Sequence, residues 1–248
     1  MDLVSVIIPY YKKRNFVRET IDSVINQTYD NFEILIIYDD TNLNDLEFLQ
    51  EISKLDNRIK IINNKKRLGA GLSRNIGIEQ SNGRYVAFID ADDTWFPDKL
   101  KDQISFMKKK NYQISHTSYF IIDEKKRVVG QRNARDLLSI DDVLKSCDIG
   151  LSTVIIEKKI ITKTSTKFPQ LVTKEDFVFW LSLLKKNYKF HALESNLTNW
   201  TRSKNSLSSS TIQKLYDGFK VYNYYMNFNI IKSIYYLICL SLNYLKKK

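Results

Sequence analysis

A chain of 248 residues, 43% of them hydrophobic, can bury a substantial core, and its 7 glycines and 3 prolines exclude collagen-like and linker-dominated architectures. With 39 basic against 28 acidic residues, the formal net charge of +11 favours polyanions, nucleotides or anionic lipid as partners without choosing among them. Two cysteines, Cys147 and Cys239, are too few for a disulfide framework and suit a reducing cytosol.

The chain opens on a first strand rather than a leader: Val4 to Ile8 is fully apolar and ends at Pro9, the pattern of a strand covered on both faces. Asn15 is a candidate cap for the helix that follows, with Phe16, Ile21, Val24 and Ile25 at helical spacing. Phe32 to Tyr38 predicts a second strand, Leu43 to Leu55 a helix, Ile59 to Ile62 a third strand, Gly69 to Glu79 a helix and Tyr85 to Ile89 a fourth strand. This alternation predicts βαβ units and a Rossmann-like, doubly wound, mostly parallel α/β sheet. Beyond Pro97 the pattern loosens. A helix is expected over Asp98 to Lys110, strands near Ile114 to Ile122 and Arg127 to Val129, a further β-branched run near Gly150 to Ile156, and helices over Lys174 to Asn187 and Ser208 to Asn227. No linker-like stretch separates the halves. The expected division is a donor half over 1–110, an acceptor-side half over 111–208 completing the same domain, and a helical C-terminal segment over 209–248.

In an open parallel sheet, ligands bind outside the carboxyl ends of the strands, so the residues after each strand carry the chemistry. Pro9, Tyr10 and Tyr11 follow the first strand, Asp39 and Asp40 the second, and Asp90-Ala91-Asp92-Asp93 the fourth. Carboxylates that converge on one sheet edge repel unless a cation joins them. Oxygen-only ligands suit Mg²⁺ or Mn²⁺, which take one or two carboxylates and the phosphates of a substrate. Arg74, on the helix after the third strand, is placed to meet a diphosphate or brace an aspartate. The glycines of Gly69-Ala70-Gly71 form no dinucleotide fingerprint and follow the third strand, which disfavours a Rossmann dehydrogenase.

Ser5-Val6-Ile7-Ile8-Pro9, Gln27-Thr28-Tyr29, Phe32-Glu33-Ile34, Asp39-Asp40, Ser73-Arg74-Asn75-Ile76-Gly77 and Gly83 to Asp93 together resemble the family-2 glycosyltransferases over the first 110 residues or so. The resemblance implies a GT-A fold, inversion at the anomeric carbon and a nucleotide-sugar donor, with UDP the favoured nucleotide. It also implies that Pro9, Tyr11, Asp40, Arg74, Asp90, Ala91 and Arg202 contact the donor. Asp92 is the expected metal ligand, with Asp90 touching the metal, its water or the ribose. In place of the family's Asp-Asp-Gly-Ser stands Asp39-Asp40-Thr41-Asn42, which leaves that turn's conformation open.

The second half resembles the subset that builds bacterial teichuronic-acid, O-antigen and capsule polysaccharides, through His116-Thr117-Ser118-Tyr119, Gly150 to Val154 and Thr173 to Leu181. Glu175-Asp176 matches the family's Glu-Asp motif, which implies Asp176 as general base. Trp200-Thr201-Arg202 with Ser206-Leu207-Ser208 resembles a loop closing over the diphosphate, with Lys204 near the place many relatives give to histidine. The apolar tail from Ile230 to Leu245, ending in Lys246-Lys247-Lys248, is short for a membrane span; it suits a helix lying on the cytoplasmic face of the inner membrane, beside a lipid-linked acceptor. Nucleic acid is not an expected partner, and the oligomeric state is open. Two rival readings are a haloacid-dehalogenase-type phosphohydrolase using Asp90 and a basic, non-catalytic module for anionic surfaces.

Overall fold

The computed structural model describes residues 1–203 and 210–246. Lys204, the Ser206–Ser208 motif and the terminal Lys247 and Lys248, all invoked above, lie outside the described residues.

The first half alternates as expected: β1 (Val4–Tyr10), α1 (Arg14–Ile25), β2 (Phe32–Tyr38), α2 (Leu43–Ser53), β3 (Ile59–Asn63), α3 (Ala70–Gln80) and β4 (Tyr85–Phe88). It continues with β5 (Thr94–Trp95), α4 (Lys99–Lys110), β6 (Ile114–Asp123), β7 (Val128–Arg132), α5 (Asp141–Leu144), a 3₁₀ turn over Leu151–Thr153, β8 (Ile155–Glu157), α6 (Lys158–Thr164) and α7 (Glu175–Lys185). The chain then forms β9 (His191–Arg202), α8 (Thr211–Lys220), a π turn over Val221–Tyr225 and α9 (Ile230–Lys246). The strands make one sheet in the order β3-β2-β1-β4-β8-β6-β9-β5, with β7 pairing off β6. From β3 to β4 every pairing is parallel. The sheet then turns mixed, because β8 runs antiparallel to both β4 and β6, while β6 and β9 are parallel.

Both faces of β1, β2 and β4 are covered, which explains why they read as almost wholly apolar runs. Val4, Val6, Ile8 and Tyr10 of β1 face α1, α2 and α4, through Val17, Ile21, Leu49, Leu100 and Ile104. Ile7 faces the opposite way, into a core that includes Leu35, Phe88, Phe177 and Trp180. Gly77 lets α3 lie against this second face: a Cβ there would fall 2.5 Å from Ile7 Cγ2.

Several sequence expectations are corrected. Asn15 does not cap α1; the helix begins at Arg14 after an N-cap Lys13 that makes no side-chain cap bond. The helix expected over Ser208 to Asn227 is α8 followed by a wide π turn, opened by Ser210, whose side chain accepts the Gln213 N–H. Trp200-Thr201-Arg202 is not a loop but the end of β9, paired with Ile121, Ile122 and Asp123. The β-branched run at Gly150 to Ile156 splits into the 3₁₀ turn and the short β8.

Candidate active site

A cleft of about 390 Å³ opens outside the carboxyl ends of β1 and β4. Pro9, Tyr11, Arg74, Asp90, Ala91, Asp92 and Asp176 all line it, so most of the site residues expected from sequence meet in one place. Asp40 and Arg202 do not belong to this lining. Asp40 borders a smaller depression of about 260 Å³ beside Lys12 and Asn15, and its carboxylate accepts the backbone N–H groups of Lys12 at 3.0 Å and Thr41 at 2.7 Å.

The acidic strand end divides its labour. A tight turn closes when Asp93 N donates to Asp90 O at 3.0 Å. Asp93 then points inward, 1% exposed, and accepts the Ser152 hydroxyl and the Thr201 N–H, so it ties β4 to the 3₁₀ turn and to β9. Burial and the neighbouring Asp92 push its carboxyl well above the usual range. Asp90 and Asp92 are left to the cleft. Asp92 receives the Lys13 ammonium at 2.6 Å, yet burial together with Asp90 still raises its carboxyl, so two close carboxylates are under-compensated here.

Arg74 is buried, its side chain 4% exposed, and forks between Asp90 and Glu175 at 2.7 Å each. Its guanidinium braces these two carboxylates instead of projecting freely into the cleft, and they hold its pKa above the ordinary arginine value against the cost of burial. Glu175 and Asp176 form the first turn of α7, entered through Lys174 at φ 69°. Burial raises Glu175 to about 6 despite the opposing pull of Arg74, and burial raises Asp176 as well. Asp176 accepts the Phe177 N–H at 2.7 Å, and among the described residues no lysine or arginine forms an ion pair with it.

Asp39 has a scaffolding role. Its carboxylate accepts the N–H groups of Leu68 and Gly69 at 2.7 Å each and Asn64 Nδ2 at 2.8 Å, fixing the entry to α3. Gly69 sits at φ 89°, a conformation that favours glycine. Tyr11 presents its ring to the cleft with the Arg67 guanidinium 4.0 Å from its centroid.

The cleft's chemistry fits a divalent cation that brings most of its own ligands. Among the described residues no group of three or more His, Cys, Asp or Glu side chains is placed to hold a metal alone. Mg²⁺ and Mn²⁺ do not require one, since one or two carboxylates plus substrate phosphates complete their octahedron. Asp92, with Asp90 beside it, supplies that pair, and among the described residues Asp90, Asp92 and Glu175 share Lys13 and Arg74 as ion-pair partners, an excess of carboxylate that favours a further cation there.

Residues 5–165 match the model of Glycosyl transferase family 2. The chain belongs to this family. Across 247 residues it is 31% identical to the putative teichuronic acid biosynthesis glycosyltransferase TuaG of Bacillus subtilis (strain 168), covering 99% of this chain and 97% of the relative. It is 35% identical over 238 residues to the Escherichia coli UDP-Glc:alpha-D-GlcNAc-diphosphoundecaprenol beta-1,3-glucosyltransferase WfgD, covering 95% and 91% respectively. Among solved structures, S. aureus TarS 1-349 in complex with UDP-GlcNAc superposes with a TM-score of 0.75 at 20% identity, covering 96% of this chain and 70% of that one. The mannosyltransferase PcManGT of Pyrobaculum calidifontis, in complex with GDP-Man and Mn²⁺, gives 0.71 at 13% identity, covering 94% and 69%. The fold is GT-A, and the chain is a family-2 glycosyltransferase.

Family membership leaves the phosphohydrolase and the non-catalytic module without support. Sequence reasoning missed Lys13, Arg67, Lys214 and Tyr244 as cleft residues. The first two stand in basic runs, Lys12-Lys13-Arg14 and Lys65-Lys66-Arg67, beside strand ends, which is a readable signal. Lys214 and Tyr244 enter only through the docking of α8 and α9, which no local pattern announces.

Proposed function

We propose that this chain is an inverting, metal-assisted glycosyltransferase that moves a sugar from a nucleotide-sugar, UDP-sugar being the favoured donor, to a hydroxyl of a lipid-linked bacterial surface glycan. One observation carries the reading: a single cleft holds the under-compensated pair Asp90 and Asp92 on the sheet side and Asp176, free of an ion pair among the described residues, at the start of α7. Direct displacement needs these two poles, a cationic site on the leaving diphosphate and a base near the attacking hydroxyl.

In this account residues 1–110 hold the donor and residues 111–208 complete the acceptor side, with 209–248 facing the membrane. Tyr11 packs on the nucleobase with Pro9 beside it in the cleft, and Asp40, from the neighbouring depression, accepts a hydrogen bond from the base. Arg74 keeps Asp90 and Glu175 in place. Asp92 with Asp90 would hold a divalent cation, Mn²⁺ or Mg²⁺, which would supply positive charge for the leaving diphosphate. Lys13 adds its ammonium on the same side, and Arg202 approaches from the end of β9. Asp176 accepts the proton of the acceptor hydroxyl as that oxygen bonds to the anomeric carbon and the bond from carbon to the diphosphate oxygen breaks. The products are a glycoside of inverted configuration and a nucleoside diphosphate. The raised carboxyl of Asp176 strengthens it as a base relative to an ordinary aspartate.

The relatives TuaG and WfgD, one named for teichuronic acid and the other for a diphosphoundecaprenol acceptor, support the surface-glycan reading. No helix of the described residues is long and apolar enough to cross a membrane, and α9 suits attachment at the cytoplasmic surface. A screen of nucleotide-sugars by hydrolysis tests the donor assignment. Turnover of one UDP-sugar, lost in Asp92→Ala, is expected; no turnover of any nucleotide-sugar in the presence of Mn²⁺ or Mg²⁺ would reject it.

A further inference from the structure

We infer that Lys214, at the mouth of the cleft, receives the diphosphate of a membrane-embedded lipid acceptor while the outer surface of α8 and α9 rests in the headgroup layer. This rests on the glycosyltransfer reading above and adds the acceptor's binding site to it. The buried Asp217 of α8, 2% exposed, accepts both the backbone N–H and the hydroxyl of Thr173 at 2.9 Å. Thr173 lies three residues before Asp176, so this clamp fixes α8 against the entry to α7. Lys214 is one helical turn before Asp217, on the same side of α8, and therefore lines the cleft together with Thr173 and Asp176. Tyr244, in the last turns of α9, closes the other side, its ring centroid 5.7 Å from the Lys214 ammonium.

Away from the cleft, α9 turns Ser233 and Leu240 inward and exposes Ile231, Ile234, Ile238, Leu242 and Leu245 at successive turns, each at least 45% accessible. Such a stripe demands a cover. Its chemistry selects a bilayer, since between residues 210 and 246 the sequence holds a single acid, Asp217, already consumed by Thr173, alongside Lys214, Lys220, Lys232 and Lys246. An apolar face with a basic margin and no exposed acid is complementary to anionic lipid. The 17 residues of α9 span only about 26 Å, short of the ~30 Å hydrocarbon layer, so it lies along the surface. In a lipid-linked acceptor the diphosphate sits between the receiving sugar and the lipid, and Lys214 occupies that same position between Asp176 and the apolar face.

The test uses the full chain saturated with UDP and Mg²⁺, so that the donor site is filled, with decyl diphosphate as probe. The wild type is expected to bind it at least about tenfold more tightly than decyl glucoside or inorganic diphosphate, with the advantage lost in Lys214→Ala and restored in Lys214→Arg. In parallel, a double variant Ile234→Asp with Ile238→Asp, both at exposed positions, is expected to lose co-sedimentation with phosphatidylglycerol vesicles that the wild type shows. Equal affinity for decyl diphosphate and decyl glucoside, or for Lys214→Ala and the wild type, would overturn the subsite. Inorganic diphosphate binding as tightly as the decyl compound, or vesicle binding that survives the double variant, would overturn its lipid part. Nucleotide binding, measured separately, reports on the donor reading whichever way these results fall.

Discussion

On the sheet side of the cleft, each cleft-lining carboxylate meets a cation: Asp90 the Arg74 guanidinium and Asp92 the Lys13 ammonium, at 2.7 and 2.6 Å. On the helix side, Asp176 accepts a backbone N–H and, among the described residues, forms no ion pair with lysine or arginine. The same residue type is thus set to two uses by its surroundings. Where cations converge, an aspartate is placed to organise further charge, although on Asp92 the Lys13 ammonium offsets only part of the rise that burial and Asp90 cause. Where burial dominates, its proton affinity rises and it becomes a better base.

The sharpest way to break this contrast is Asp176→Asn. Transfer is expected to fall by roughly 10²–10⁴ with nucleotide affinity retained, because the base is lost while the donor side stands. Since a buried charge is removed, melting at neutral pH should not drop. Undiminished turnover would take Asp176 out of the base role. On the sheet side, Asp92→Ala is expected to cost about 10²–10³ in turnover and to remove the metal dependence of nucleotide binding, which calorimetry with and without Mg²⁺ measures.

Arg74→Met breaks the brace between the two sides. It leaves Asp90 and Glu175 without their partner, and a loss of about 3–5 kcal/mol in urea unfolding is expected. A smaller effect comes from pH. A base must be deprotonated to act, and burial has raised Asp176, with Glu175 beside it at about 6. The transfer rate should therefore begin to fall, as pH is lowered, at a higher pH than protonation of an ordinary aspartate would allow. For Glu175 the raised carboxyl also means that its contribution to stability is full below the unfolded value near 4.3 and is lost as pH rises through about 6. Smallest of all is Asn15→Ala. A cap would cost about 1 kcal/mol; inside α1 the change should stay within about 0.5 kcal/mol.

The same two sides differ in how much the sequence disclosed. β1, β2 and β4 are short, mostly apolar runs buried on both faces, so local composition announces them, and the aspartates at their ends follow from strand order alone. β9 was missed because His191 to Arg202 alternates irregularly between buried and exposed positions, and its pairing with β6 shifts register between Thr117 and Phe120. Asn15 looked like a cap because asparagine favours that position, yet the N-cap is Lys13, two residues earlier, with no side-chain cap bond. The inward turn of Asp93 and the clamp of Asp217 on Thr173 depend on partners 108 and 44 residues away, and no local pattern specifies them.

The most direct test of the central claim is a thermal shift with UDP and Mn²⁺. With ligand at about a hundredfold its dissociation constant, a stabilisation near 2.7 kcal/mol is expected, a rise of several degrees, and the metal-dependent part of that rise should vanish in Asp92→Ala. No shift with any nucleoside diphosphate and metal, or a shift identical in Asp92→Ala, would contradict the assignment of Asp90 and Asp92 as the diphosphate-cation site.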